Sequence, residues 1–177
     1  MANNLDNFIN NFQGGNRTHR YDVEMSFPTE VGSASADQMN RFFIRAVSLP
    51  PSQVNPIRIP YRGRILKWPG DRIYFPWTFR VLDQGGKNSL WTGFNEWSNL
   101  INNHKDNISS QSWNEFTTDW SIKQIGADGS TDLKAVTLFD CWPTIVGPIS
   151  MDSNSIDTLV EFTVTVEYSY HTVKDVT

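Results

Sequence analysis

Cysteine is nearly absent from this 177-residue chain. Cys141 stands alone and cannot close an intrachain disulfide, so stability must come from packing, and the redox compartment stays open. Long hydrophobic runs are missing as well: none approaches the ~18 residues of a spanning helix, which predicts no membrane partner. The N-terminal MANNLDNFINNFQGG has neither a basic n-region nor an apolar h-region, and predicts no secretory leader. Without a leader, the patterns Asn16-Arg17-Thr18 and Asn107-Ile108-Ser109 do not argue for glycosylation. Histidine is scarce, and His19, His104 and His171 have no second His or Cys at metal-ligand spacing. Gly-rich phosphate loops, HExxH and GxSxG are lacking. Asp152 and Asp157 flank a Ser- and Asn-containing turn, too few ligands for calcium. The inventory predicts no enzyme, no metal and no cofactor.

What is present points to a packed β-rich module. Hydrophobic residues make up 38% and aromatics 13%, with seven tryptophans. The length suits one domain spanning 1–177, long enough to bury roughly 70% of its chain surface. Charge divides along the chain. Residues 1–80 hold ten Lys/Arg against six Asp/Glu (+4), and residues 81–177 hold five against thirteen (−8). Such a split fits a nucleic-acid surface, a basic part facing a neighbour's acidic part, or an uneven solvated surface.

Residues 1–19 form an Asn-rich arm. Leu5, Phe8, Ile9 and Phe12 fall on one helical face, and a helix this short needs a dock, on its own domain or on a partner. From Arg20 the period becomes two, with Tyr21, Val23, Met25 and Phe27 inward. Residues 28–40 read as a polar loop. Phe42 to Leu49 reads as a strand apolar on both faces, hence covered on both. Residues 57–82 read as one long hairpin turning at Trp68-Pro69-Gly70-Asp71. Ile57, Ile59, Tyr61 and Ile65 share one face, and Pro60 and Pro76 mark edges or bulges. A helix over 88–103 is capped by Asn88 or Ser89, and its stripe of Leu90, Phe94, Trp97 and Ile101 predicts packing on a sheet. Strands resume at Phe116–Ile122 and Leu133–Trp142 around a turn at Ala127–Ser130, and Pro143 opens the next loop. The last strand, 158–170, alternates Phe162, Val164, Val166 and Tyr168 with Glu161, Thr163, Thr165 and Glu167. At ~3.3 Å per residue it spans about 43 Å.

One charged constellation stands out: Arg58, Arg62, Arg64, Lys67, Arg72 and Arg80, with Asp71 the only acid among them. Even spacing places Arg58, Arg62 and Arg64 on one strand face. With Tyr61, Trp68 and Tyr74 nearby, the group suits phosphates and stacked bases, or an acidic neighbouring subunit.

Two blocks of motifs stand in order along the chain. The first is Ala46–Pro50 (AVSLP), Ile57–Gly63 (IRIPYRG) and Lys67–Tyr74 (KWPGDRIY). The second is Phe139–Gly147 (FDCWPTIVG), Asp152-Ser153-Asn154 and the alternating strand from Leu159 to Tyr168, with the helix carrying Trp97 between the blocks. Together they resemble the tail tube proteins of contractile-tailed bacteriophages. Residues 28–40 look longer than the family's loop, and Pro60 and Pro76 have no firm counterpart. The resemblance implies a mainly β fold: an antiparallel β-barrel or sandwich with one flanking helix and a short helical arm. It also implies stacked hexameric rings forming a hollow conduit for DNA inside a contractile sheath, an architecture shared with the type VI secretion tube protein. The implied partners are further copies of the chain, tail sheath, baseplate and tail-terminating proteins, tape measure protein and passing DNA. The implied location is the virion, after assembly in the host bacterial cytoplasm.

The expected interface residues are Leu5, Phe8, Ile9, Phe12, Arg58, Arg62, Arg64, Trp68 and Arg72. A bore that lets DNA slide should lack free cations, so Glu161, Thr163, Thr165 and Glu167 are lumen candidates, with outer surface as the alternative. The alternative functions are a type VI-secretion-like tube subunit and a monomeric nucleic-acid-binding β-barrel that uses the arginines. A net charge of −4 and a pI near 5.3 count against the nucleic-acid-binding one.

Overall fold

The computed structural model describes residues 5–12, 15–31, 41–86, 89–109 and 112–175. Most of the expected 28–40 loop and the cap candidate Asn88 lie outside them. The fold is mainly β, a curled antiparallel sheet forming a half-barrel. Its strands are β1 (Tyr21–Glu24), β2 (Ile44–Ala46), β5 (Trp77–Leu82), β6 (Thr118–Ile125), β7 (Asp132–Val146), β8 (Glu161–Glu167) and β9 (Tyr170–Asp175). They run in the order β1-β6-β7-β8-β5-β2, with β9 also paired to β7. Two further strands, β3 (Ser52–Tyr61) and β4 (Arg64–Tyr74), pair only with each other. The helices are α1 (Leu5–Phe12), α2 (Leu90–Ile101) and a single turn, α3 (Trp113–Phe116).

Period-two alternation builds the core. In β5, Trp77, Phe79 and Val81 point inward, opposite Val166, Val164 and Phe162 of β8. Helix α2 starts at Ser89, whose Oγ accepts the Thr92 N–H, and lays Leu90, Phe94 and Trp97 on the sheet. Rings of Phe27, Phe79, Phe94, Trp97 and Trp120 fill the centre at centroid spacings of 5.0 to 6.4 Å, tilted or edge-on except for the stacked pair Phe94 and Trp97. Each deeply buried indole N–H finds a carbonyl, as burial demands. Trp77 donates to Ser48 O at 2.6 Å, Trp97 to Phe116 O at 2.7 Å and Trp120 to Ser26 O at 2.9 Å. Tyr21 Oη donates to Ile44 O at 2.8 Å and ties the two ends of the curl together.

The structure corrects several readings. The overlong strand is β7, with fifteen residues; the 158–170 stretch starts pairing only at Glu161 and breaks after Glu167. At that break the Ser169 N–H donates to Phe139 O, so β8 and β9 run in succession along one partner. Strand β7 serves both halves by bending. Asp140 takes φ 57°, its N–H donates to Asp119 Oδ1 at 3.1 Å, and the register slips beside it. Pro143 lies inside β7, beside a second slip. The stretch Phe42–Leu49 is only a 3₁₀ turn and a three-residue strand, and Phe42 is exposed, so just one side is covered.

The hairpin is also redrawn. Its turn is Arg62-Gly63, with φ of 45° and 79°, the two-residue geometry whose twist matches antiparallel strands. Trp68–Asp71 lies within β4, where Pro56 faces Pro69 and one extra residue bulges near Gly70. A Cβ on Gly70 would sit 2.7 Å from Asn55 O, so this close approach needs glycine. Pro76 ends the hairpin's second arm, and β5 leaves for the main sheet.

Candidate subunit interfaces

The β3–β4 hairpin is a sheet without a core. Nearly every residue of both strands is exposed, and no strand beyond its own two pairs with it among the described residues. An isolated two-stranded ribbon is marginal in water, so this one calls for a partner. The register sorts its side chains onto two unlike faces. Ile57 opposes Trp68, Ile59 opposes Leu66 and Tyr61 opposes Arg64, giving an apolar face that ends in one arginine. Arg58 opposes Lys67 on the other face, among Pro56, Pro60, Ile65 and Pro69. Past the bulge, Arg72 joins that second face and donates to Ser52 Oγ at 2.8 Å.

The three arginines expected together are therefore separated. Arg58 lies on the cationic face, Arg64 on the apolar face, and Arg62 in the turn, where its guanidinium lies 5.4 Å from the Tyr61 ring centroid. Ile65 likewise opposes Pro60 and leaves the face of Ile57 and Ile59. The signal that sequence reasoning passed over is Arg62-Gly63 itself, with glycine at the second turn position.

Helix α1 exposes its whole apolar stripe. Leu5, Phe8, Ile9 and Phe12 are 54–68% accessible, so the other described residues leave them largely uncovered. The rings of Phe8 and Phe12 stack at 5.3 Å. On β8, Glu161, Thr163, Thr165 and Glu167 do share the outward face, while Phe162, Val164 and Val166 fill the core. The sheet adds what one strand cannot show: Arg80 of β5 opposes Thr163, and the Arg45 guanidinium pairs with the Glu161 carboxylate. A second outward face belongs to β6, β7 and β9, where Ser121, Thr137 and Thr172 align across the strands. There Lys123 Nζ sits 2.7 Å from Glu24 and 4.0 Å from Asp132. The Glu24 hydrogen bond keeps the ammonium charged by raising its pKa, ahead of the opposing effect of burial.

At the hairpin root, Tyr74 packs edge-on against His171 and Tyr168, at 5.0 and 6.0 Å. Burial lowers the His171 pKa, helped by Arg72, and pushes Tyr168 up to about 12. Tyr168 Oη and His171 Nδ1 have no hydrogen-bond partner among the described residues. Cys141 is fully buried, and desolvation raises its thiol pKa well above the ordinary range, ahead of the nearby Asp119. It acts as a small core hydrophobe. No group of three or more His, Cys, Asp or Glu able to hold a metal occurs among the described residues.

Comparison with known proteins gives this geometry a family. In the solved extracellular contractile injection system PVC sheath–tube complex, in its extended state, one chain superimposes with a TM-score of 0.64 at 18% identity. The match covers 91% of this chain and 92% of that one, a likeness of fold. The tail tube protein of Serratia phage KSP90 is 31% identical over 172 residues, covering 90% of this chain and 93% of the relative. That of Enterobacteria phage T4 is 24% identical over 168 residues, covering 94% and 98%. A family model described as phage tail tube protein matches residues 16–174, nearly the whole chain, and the chain belongs to that family of structural virion components.

Proposed function

We propose that six copies of this tail tube subunit close into a ring, and that rings stack into a hollow conduit for DNA within a contractile sheath. The tube would start on a baseplate, end at a tail-terminating protein, surround a tape measure protein before DNA passes, and assemble in the host bacterial cytoplasm. The observation that carries the reading is the β3–β4 hairpin: a ribbon exposed on both faces, attached to a well-packed half-barrel. The uncovered stripe of α1 supports it independently. In this reading Leu5, Phe8, Ile9, Phe12 and Trp68 bury apolar surface between copies, and Arg58, Arg62, Arg64 and Arg72 meet acidic groups of neighbours. No catalytic step is assigned to the subunit.

For the bore, the β8 face with Glu161, Thr163, Thr165 and Glu167 offers carboxylates that repel phosphate and hydroxyls that bind it weakly. In a second reading the row of Ser121, Thr137 and Thr172 lines the bore. Each face carries two cations, Arg45 and Arg80 on the first and Lys123 and Lys174 on the second, with Arg45 and Lys123 paired to Glu161 and Glu24. Electron microscopy of the purified protein tests the class. Rings or tubes are expected, with Glu161 or Ser121 on the inner wall deciding between the faces. Deletion of residues 1–14 should leave a folded monomer that assembles poorly. A wild type that stays monomeric and binds DNA with steep salt dependence would instead support the nucleic-acid-binding alternative.

A further inference from the structure

The hairpin meets the half-barrel through a narrow joint. Pro50-Pro51 precedes β3 and Pro76 follows β4, and proline offers no N–H to carry a ladder from one sheet into the other. On the core side of these links the Trp77 indole donates to Ser48 O at 2.6 Å, which ties the two stems together. Beyond that tie, Tyr74 is the one hydrophobic hairpin side chain packed against the core among the described residues. Its ring lies 5.0 Å from His171 and 6.0 Å from Tyr168, and those two rings lie 5.8 Å apart, so the three form one cluster.

Ring contacts hold this cluster, and its polar atoms work against it. Tyr168 is 6% exposed, yet neither its Oη nor the buried Nδ1 of His171 has a hydrogen-bond partner among the described residues. Two such groups cost free energy while the joint is shut, and solvent satisfies them once it opens. The groups around His171 set its response to acid. Arg72 and Tyr74 face it from β4, Tyr168 faces it from the end of β8, and Leu138 stands opposite it on β7. Burial first, and then Arg72, disfavour its cation. Cys141 and Glu167 act on Tyr168, whose hydroxyl stays protonated because burial, ahead of these neighbours, lifts its pKa to about 12. Within the cluster only the imidazole has an ordinary pKa close to neutrality. Its charge, once added, favours leaving a half-buried site beside a guanidinium.

We infer that Tyr74, Tyr168 and His171 form a releasable latch: with His171 neutral the hairpin is held against the half-barrel, and protonation of His171 frees it to pivot about its proline links. The half-barrel stays folded, because its core lies on the far side of the Trp77–Ser48 tie. Every group involved belongs to one copy, so the latch goes beyond the tube reading and does not rest on it.

The test places a donor and an acceptor dye on Lys67→Cys in the hairpin and Lys134→Cys in β7, two exposed positions of the full-length chain. Native Cys141 is buried and does not label. Energy transfer is read on single molecules, at a dilution where copies do not meet. One narrow distance population is expected at pH 7.5. At pH 5.0 a broader second one should appear, with the open-to-closed ratio up at least about fivefold; an open-state pKa of ~6.5 caps the rise at ~30-fold. Adding His171→Gln should hold the ratio within about twofold over the same interval. Tyr168→Phe removes one orphaned hydroxyl and should lower the ratio at both pH values. A wild-type ratio that ignores pH overturns the latch, and so does a pH response that survives His171→Gln. A ratio raised by Tyr168→Phe would mean that the hydroxyl holds the joint, and overturns the release mechanism. Amide exchange separates release from unfolding: β3 and β4 should lose more protection at pH 5.0 than β5 and β8, and equal losses overturn the inference.

Discussion

Two antiparallel pairs in this molecule begin from similar sequences and end in opposite environments. β5 and β8 alternate apolar and polar residues, and every inward side chain is buried. β3 and β4 also carry isoleucine, leucine, tryptophan and tyrosine at alternate positions, yet Trp68 is 60% exposed where Trp77 is 1%. The difference is what stands opposite. Helix α2 and strand β6 cover the first pair with Phe94, Trp97 and Trp120, whereas none of the described residues covers the second. One region is finished by folding, and in the proposed reading the other is left for assembly to finish.

The comparison breaks most visibly at two tryptophans. Trp97→Ala removes an indole from the centre of the core and leaves the Phe116 carbonyl without its donor. It should cost about 3–5 kcal/mol in a denaturant titration of the monomer. Trp68→Ala should change that titration by no more than about 0.5 kcal/mol, as for an exposed site. The order should reverse for assembly measured by sedimentation: Trp68→Ala should assemble poorly while remaining folded. Equal stability losses for the two substitutions would mean that the hairpin folds back on its own body in solution.

The same contrast explains what was readable in advance. Burial leaves a periodic trace, so the core strands, the inward set of Phe162, Val164 and Val166, and the stripe of α2 were all visible in the sequence. Among the described residues the hairpin buries little beyond Tyr74 at its root, and its alternation carried no information about where the chain turns. Trp68-Pro69-Gly70-Asp71 has strong turn chemistry, but the cross-strand partners pull it straight and absorb it as a bulge at Gly70. The cationic cluster was legible as composition. Its division between two faces was not, because a turn at Arg62-Gly63 decides which residues stand opposite one another. The neighbours of the β8 face were not legible for a related reason: Arg45 and Arg80 reach it from other strands.

A smaller change at the turn sharpens the contrast. Arg62 holds φ 45°, a region costing about 1 kcal/mol for a residue with an ordinary side chain and less for asparagine. Arg62→Asn should therefore stabilise the hairpin by up to about 1 kcal/mol, read as slower amide exchange in β3 and β4 with the β5–β8 amides unchanged. The substitution also removes a cation from the proposed contact. A better-formed hairpin that stacks less well would separate the ribbon's own stability from its recognition chemistry. No change in exchange would show that the turn does not limit the ribbon.

The smallest expected effect sits where the two regions meet. His171 packs against Tyr74 of the hairpin and Tyr168 at the end of β8, with Arg72 the nearby charge that disfavours its protonation after burial itself. Its folded pKa is therefore below the unfolded value of about 6.5. Between those two values the unfolded chain binds a proton that the folded chain does not, so stability falls as pH drops through this window. Above pH ~6.5 both states are neutral at this residue and its contribution is flat. Asp128 acts in a different window. Hydrogen bonds from Thr131 and Ser130 hold its carboxyl well below the usual range, so its contribution is present above about pH 4 and fades only in stronger acid. Denaturant midpoints at pH 7.5 and 5.0, compared between wild type and His171→Gln, isolate the histidine, because the carboxylates change little in common between them. The wild type should lose more stability over that interval than the variant, and the hairpin-root amides should show the loss first. Identical pH slopes would mean that His171 protonates freely, with the root of the hairpin open to solvent.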